Sequence, residues 1–568
     1  MSSHTLPKRR TLILLLAALA VLWFGNLDYR KLVRPDEGRY AEIPREMVAT
    51  GDWLTPRLNG IKYFEKPPLQ YWATAAAYEV FGQHEWTVRL WPALTGFAGV
   101  ALVYLVGASL FGALAGFYAA LVLAGSLGYV LIAHVATLDM GVTFFMGLTL
   151  AGLLLGLKQN APSSSTRRWM HVAWAAMAFA ALSKGLMGVV LPAMVLVAYM
   201  VLERDFGLLR RLHVWTGSLL FLAIAAPWFV AVSLANPEFF HFFFIHEHFQ
   251  RFLTQAHRRP GPWWYFVPIL ALTILPWLVT LCAALPGSWK KYGSPAGFQP
   301  QRFLLLWAVL IFVFFSASGS KLPSYILPIF PALALLMGKY LSECRATSLR
   351  WQLAPLPLVG LLVAGAASQA VRFASDEVPV ALYEAYVPWL LGAGAVFLAG
   401  SLYALHRCLR NDPTPALIIL CFSSLAAGQL AMMGHNSLAR ASSAYYLAQE
   451  IKPYLRPGAP FYSVGTYEQT LPFYIKRTVT LVAFADEMAY GLAQEPQLWL
   501  RDYAEFDRVW HNSSYALAIM PPQTFAEFSK AGLPMQEIAR DTRRVVVRTM
   551  PRQQPPAGHA NPPGVPKP

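Results

Sequence analysis

The chain has 568 residues, 56% of them apolar and only 13% charged, against about 25% charged in an ordinary soluble domain. A mean hydropathy of +0.42, together with 18 Trp, 25 Tyr and 35 Phe, excludes a purely soluble globule and fits a multi-pass membrane protein with wetted ends. The net charge of +16 is spread through loops and not gathered on one soluble face, which argues against nucleic-acid binding and leaves membrane topology or an anionic substrate.

At the N-terminus, Lys8-Arg9-Arg10 precedes an apolar run that continues through Val21-Leu22-Trp23-Phe24, past the Ala18-Leu19-Ala20 stretch that mimics a cleavage site. This reads as an uncleaved signal anchor. Apolar stretches long enough to cross a bilayer recur at 11–25, 91–111, 113–133, 138–157, 169–183, 185–202, 214–234, 264–286, 303–318, 322–341, 353–370, 387–405 and 415–433, so a polytopic α-helical protein with about 13 transmembrane helices is expected. Basic residues set the orientation. With the N-terminus cytoplasmic, Lys8, Arg9, Arg10, Arg167, Arg168, Arg210, Arg211, Lys290 and Lys291 all fall inside, while the short outside loops carry few.

That topology divides the chain into a transmembrane domain over 1–433, with a first periplasmic loop at 26–90, a periplasmic domain over 434–550 and a tail at 551–568. In the second domain, β-rich runs at 461–464, 479–483, 515–520 and 544–548 alternate with helix-like stretches such as 523–530, which predicts a small α/β domain. The tail is Pro-rich without apolar periodicity, so disorder is expected there. Four isolated cysteines, none in a C-x-x-C pair, give neither a disulfide framework nor a thiolate metal site.

The first outside loop carries Arg34-Pro35-Asp36-Glu37-Gly38-Arg39-Tyr40 and Tyr63-Phe64-Glu65-Lys66-Pro67-Pro68. Its stretches 40–49 and 69–81 have helical composition and suit the membrane surface. Further ionisable residues stand at the outer ends of spans: Asp139, Lys184, and Lys321 in a segment that continues to Tyr325. Ionisable groups at membrane depth are costly unless paired or wetted, and all of these fall on one side, so the pattern predicts a single outward cavity. Singly, Lys184, Lys321 and Arg251 equally suit snorkelling anchors, and Asp36-Glu37 equally suits a helix N-cap. His246-x-His248 could place two imidazoles as ligands for a divalent metal, with Glu65 as a third, or could belong to an aromatic interfacial loop. The aromatic run through Phe239, Phe240, Phe242, Phe243 and Phe244, with Trp263 and Trp264, reads mostly as an interfacial belt and in part as a lipid groove.

An acidic pair soon after the first span, in a large outside loop, resembles the GT-C class of integral-membrane glycosyltransferases that use polyprenyl-phosphate-linked sugars. The fuller set of motifs, with Thr137-Leu138-Asp139, Ser183-Lys184-Gly185 and Lys321-Leu322-Pro323-Ser324-Tyr325, is similar to the bacterial 4-amino-4-deoxy-L-arabinose lipid A transferases, relatives of the protein O-mannosyltransferases. The resemblance covers roughly residues 10 to 435. It implies transfer of aminoarabinose from undecaprenyl phosphate to lipid A phosphates on the periplasmic face of the bacterial inner membrane, which lowers attraction for polymyxin and other cationic peptides. Asp36, Asp139 and Glu37 are then the catalytic candidates, Lys66, Lys184, Arg251 and Arg39 the donor-phosphate ligands, and Tyr63, Glu65, Lys321 and Tyr325 further substrate contacts. A polyprenyl-phosphate sugar transferase with a protein acceptor is the nearest alternative. A secondary transporter of an anionic lipid or sugar is the other, and it would call for inverted repeats and mid-membrane polar residues.

Overall fold

The computed structural model describes residues 5–250, 261–290 and 297–550, without the side chains of 246–250. Arg251 and the tail at 551–568 lie outside the described residues. Each of the thirteen apolar stretches coincides with helix. Among the described residues, eight helices are long and apolar enough to cross a bilayer, or up to ten if two bent pairs each count as one span. The remaining helices at expected spans are Arg9–Phe24, Ser163–Lys184 and Met187–Glu203, two of them short and one opening on a polar Ser-Ser-Ser-Thr-Arg-Arg run.

The bent pairs are Ala113–Gly125 with Leu127–Ala133, at 66°, and Phe266–Thr273 with Leu278–Ser288, at 112°. A broken helix in lipid leaves amides and carbonyls that water cannot satisfy. Here the two breaks satisfy each other: the Leu127 N–H, freed at the first break, donates to the Leu275 carbonyl in the second at 3.0 Å. The four cysteines are free thiols.

The loop between the first two long helices is compact. Helix Asp36–Thr50 is followed by a two-stranded hairpin, β1 (Arg57–Leu58) and β2 (Ile61–Lys62), turned by Asn59-Gly60 with positive φ at both residues, as a tight hairpin requires. Helix Leu69–Phe81 starts after Pro67-Pro68 and packs on the first helix, with the Tyr71 ring stacked on Tyr40 at a centroid distance of 6.1 Å. Helix Asp36–Thr50 does not lie open on the membrane surface as its composition suggested. It is buried over most of its length, because the C-terminal domain covers it.

That domain is a six-stranded mixed sheet in the order β5 (Trp499–Leu500), β4 (Thr480–Val482), β3 (Phe461–Val464), β6 (Leu517–Met520), β8 (Val545–Thr549), β7 (Met535–Arg540). The first four are mutually parallel, β8 runs antiparallel to β6, and β7 runs antiparallel to β8. The four β-rich runs read from the sequence are β3, β4, β6 and β8. The runs missed are two-residue β5 and β7, whose alternation is broken by a register shift at Glu537/Ala539. Parallel strands present their carboxyl ends on one edge of a sheet, and the loops after β3 and β4 reach from that edge to helix Asp36–Thr50.

Gly38 sets how close they come. A methyl group at this position would sit 2.6 Å from the Gln469 carbonyl oxygen and 2.7 Å from the Thr470 amide nitrogen, both backbone atoms that cannot rotate away. Gly38→Ala is therefore expected to displace the loop after β3 and lower the unfolding temperature of the detergent-purified protein by several degrees. Unfolding close to wild type would show that the loop accommodates the methyl.

Candidate active site

Among the described residues, Asp36, Glu37, Glu65, Lys66, Asp139 and Lys184 gather at the end of the bundle that faces the C-terminal domain. Asp36 and Glu37 are the first two residues of one helix, and successive residues on a helix point about 100° apart. The pair is therefore split. The Asp36 side chain is half exposed, and its Oδ1 accepts from Arg39 Nη1 at 3.0 Å. Glu37 turns inward and is 1% exposed. It accepts from Arg89 Nε at 2.7 Å and Nη2 at 2.8 Å, from the Val33 amide at 3.0 Å and from the Ala136 amide at 3.2 Å. Arg89 is itself fully buried and donates to the carbonyls of Leu27, Arg30 and Lys31. Burial alone would raise the Glu37 carboxyl, but the Arg89 guanidinium outweighs it and holds the group at about 2. Placed by sequence among the catalytic candidates, Glu37 is a clamp: it fixes Asp36 relative to the turn that leads into Asp139.

Asp139 opens helix Asp139–Leu157, and Lys184 closes helix Ser163–Lys184. The Lys184 ammonium contacts Asp139 Oδ1 directly and lies 5.0 Å above the Tyr325 ring. Beneath them is a cavity of about 10 Å³, lined by Asp139, Lys184, Ser324, Tyr325 and apolar side chains, with room for about one water. Lys66 also acts electrostatically on Asp139. Its ammonium donates to its neighbour's carbonyl, Glu65 O, at 2.8 Å and stands 3.6 Å from the Glu65 carboxylate.

Two expected ligands have other partners. Arg39, read as a phosphate contact, bridges Asp36 and Glu487, with the Tyr40 and Tyr63 rings each 5.9 Å from its guanidinium. Lys321, read as a substrate contact, is 5% exposed and donates to the Ser316 and Ser318 carbonyls, both at 2.7 Å, so it caps the end of helix Pro300–Ala317. Tyr63 is buried beside Arg39, and Tyr325 packs on Phe315 at 5.2 Å. For the metal candidates, no group of three or more His, Cys, Asp or Glu that could hold an ion is present among the described residues. His246 and His248 have side chains outside the described residues, as does Arg251. Among the aromatic run, Phe239, Phe242 and Phe243 are buried in a cluster with Phe64 and Trp228, while Phe240, Trp263 and Trp264 are exposed and suit the interfacial belt.

Sequence reasoning missed Glu487. It lies in the short helix Asp486–Met488 just past β4, where Asp486 takes a positive φ of 37°, and it contacts Arg39 Nη2 directly while accepting from Gln469 Nε2 at 3.4 Å. Burial raises its carboxyl above the ordinary range even with Arg39 beside it. The available signal was its position: an acidic pair at the carboxyl end of a parallel strand is where α/β domains place functional groups.

Comparison with known proteins follows the same division. A family model described as dolichyl-phosphate-mannose-protein mannosyltransferase matches residues 8–246, and one described as aminoarabinose transferase C-terminal domain matches 447–549. The undecaprenyl phosphate-alpha-4-amino-4-deoxy-L-arabinose arabinosyl transferase 2 of Pseudomonas fluorescens is 34% identical over 450 residues, 77% of this chain and 75% of its own. The corresponding arabinosyl transferase of Shewanella sediminis is 30% identical over 84% of this chain and 86% of its own. The crystal structure of ArnT from Cupriavidus metallidurans bound to undecaprenyl phosphate superposes with a TM-score of 0.91 at 39% identity, covering 95% of this chain and 98% of that one.

Two variants probe the site. Arg89→Met leaves Glu37 buried without its partner and is expected to cost ~3 kcal/mol. In the wild type that contribution is present at neutral pH and is lost as pH falls from the ordinary 4.5 through the folded value of about 2, so the stability gap between wild type and Arg89→Met should be widest at neutral pH and narrow below pH 4.5. A gap that stays constant into acid would remove the clamp assignment. Glu487→Gln keeps the side chain's size, and we expect it to unfold near the wild-type temperature while losing at least tenfold in transfer. Full activity would reduce Glu487 to a structural contact.

Proposed function

Because the chain belongs to the undecaprenyl phosphate aminoarabinose arabinosyl transferase family, we propose that it moves 4-amino-4-deoxy-L-arabinose from undecaprenyl phosphate to the phosphates of lipid A. It is a multi-pass membrane glycosyltransferase of the GT-C type. In this reading it resides in the bacterial inner membrane with the site and the C-terminal domain on the periplasmic face. Its product carries less negative charge, so cationic peptides such as polymyxin bind the modified surface less well.

The observation that carries the reading is the meeting of Asp36, Lys66, Asp139, Lys184 and Glu487 at one end of the bundle, although they come from four separate stretches of chain. In the transfer step an oxygen of the acceptor phosphate attacks the anomeric carbon, and the bond from that carbon to the undecaprenyl phosphate oxygen breaks. The electron pair leaves with the polyprenyl phosphate. Positive charge builds on the sugar and negative charge on the departing phosphate. In this reading Lys66 and Lys184 stabilise the departing phosphate, since contacts to a charged oxygen strengthen as charge develops there. A phosphate monoester is already largely deprotonated at neutral pH, so the acceptor needs no general base. Asp36, the most open carboxylate of the group, is held through one oxygen by Arg39 and in this reading stabilises positive charge at the anomeric centre and, with Asp139, orients the sugar.

The test supplies membranes containing the protein with a labelled polyprenyl-phosphate aminoarabinose and follows the label. Incorporation into lipid A, lost at least a hundredfold in Asp36→Asn with the protein folded, is the expected result. Label in protein would favour the mannosyltransferase-like alternative that the match over residues 8–246 keeps open. Label in neither, with donor movement across the bilayer, would favour a transporter.

A further inference from the structure

Helix Leu69–Phe81 packs on helix Asp36–Thr50 beside the site, and its first turn supplies Tyr71. The Tyr71 ring lies against Tyr40 with an angle of 27° between the planes. Tyr40 in turn faces the Arg39 guanidinium, whose other neighbouring ring is Tyr63. Tyr71 is 0% exposed and Tyr63 2%. Neither hydroxyl has a hydrogen-bond partner among the described residues. The charges that act on both phenols are the same: Arg39, Glu65 and Glu487. They belong to the site and not to the bundle core.

Leaving a buried hydroxyl unpaired is unfavourable by roughly 1–3 kcal/mol, and buried polar groups find partners in all but a few cases. Two such hydroxyls, acted on by the same three charged residues and each near the Tyr40–Arg39 pair, are left with bonding capacity for a polar ligand. The neighbouring carboxylates are already taken up by Arg39 and Lys66. What the phenols add is a pair of neutral groups that both donate and accept, which matches a sugar hydroxyl better than a phosphate or an ammonium. Phosphate accepts only, and an ammonium donates only.

We propose that Tyr71 is a specificity-determining residue whose phenol hydrogen-bonds a hydroxyl of the transferred sugar, with Tyr63 beside it. The assignment rests on the sugar-transfer reading above. It gives helix Leu69–Phe81 the task of reading the sugar, and leaves the phosphate to Lys66 and Lys184. A site built to bond a hydroxyl discriminates strongly against an analogue that lacks it, because its own polar group is then stranded.

The experiment removes the interaction from both sides. Wild type and Tyr71→Phe are assayed with the natural polyprenyl-phosphate donor and with donors lacking the 2-hydroxyl or the 3-hydroxyl. A further donor carries a hydroxyl in place of the 4-amino group. For wild type, one deoxy donor is expected to lose about tenfold or more in kcat/KM. Tyr71→Phe should lose a similar factor with the natural donor yet treat that deoxy donor and the natural one within about threefold of each other. The ratio between donors is internal to each enzyme preparation, so partial misfolding of the variant does not alter it. If Tyr71→Phe keeps wild-type ratios for every donor, or changes only the ratio for the donor without the amino group, the assignment is overturned. Failure of wild type itself to transfer aminoarabinose would instead count against the transfer reading, whatever Tyr71 does.

Discussion

The arrangement of the site depends on a buried ion pair, Glu37 with Arg89. A carboxylate and a guanidinium removed from water are tolerated only when nearly every lone pair and N–H is engaged, and here they are: four donors converge on Glu37, and Arg89 also reaches three carbonyls of the segment 27–31. One charge pair therefore joins three stretches of chain, namely the end of the first span, the opening turn of helix Asp36–Thr50 and the turn before Asp139. With these held, the relative position of Asp36 and Asp139 follows from the covalent chain.

The C-terminal domain completes the same enclosure from the opposite side. Its parallel strands deliver Gln469 and Glu487 on consecutive loops, and the absence of a side chain at Gly38 lets the first of these pass against helix Asp36–Thr50. Arg39 is the joint. It binds Asp36 on its own helix and Glu487 from the sheet, so the residue that sequence placed at a phosphate connects the two domains. A second connection runs outside the site, where Arg57 meets Glu495 at 3.0 Å and the Asn59 side chain exchanges hydrogen bonds with the Val479 backbone.

Periodicity made the membrane helices legible, because an apolar run of about twenty residues has few other structural uses. The convergence of Asp36, Lys66, Asp139 and Lys184 was legible for a similar reason: an ionisable group at a span's outer end needs a partner, and they were on the same side. Partner identity was not. Arg89 lies just before the stretch read as a span, so it was counted among loop residues, although an arginine at the mouth of an apolar helix is as much in need of a counter-charge as Asp139. Glu37 was read together with Asp36 because adjacency in sequence hides the turn of about 100° between neighbours on a helix. Lys321 shared its motif with Tyr325, and only the end of the preceding helix, with its unpaired carbonyls, reveals that the ammonium serves as a cap.

The charges gathered at the site are of mixed sign, and this bears on which substrate it suits. The carboxylates of Asp36, Glu65, Asp139 and Glu487 face Arg39, Lys66 and Lys184, so the described part of the site is not a cationic phosphate trap. A donor that carried only a phosphodiester would meet repulsion from the carboxylates as well as attraction from the lysines. An aminosugar joined to that phosphodiester places an ammonium and a phosphate in one molecule, each able to sit beside the opposite charge. As the anomeric bond breaks, both charges grow: the sugar becomes more positive and the departing phosphate more negative. A site of paired signs therefore binds the transition state more strongly than the donor without needing a net charge of its own, which is what electrostatic catalysis requires.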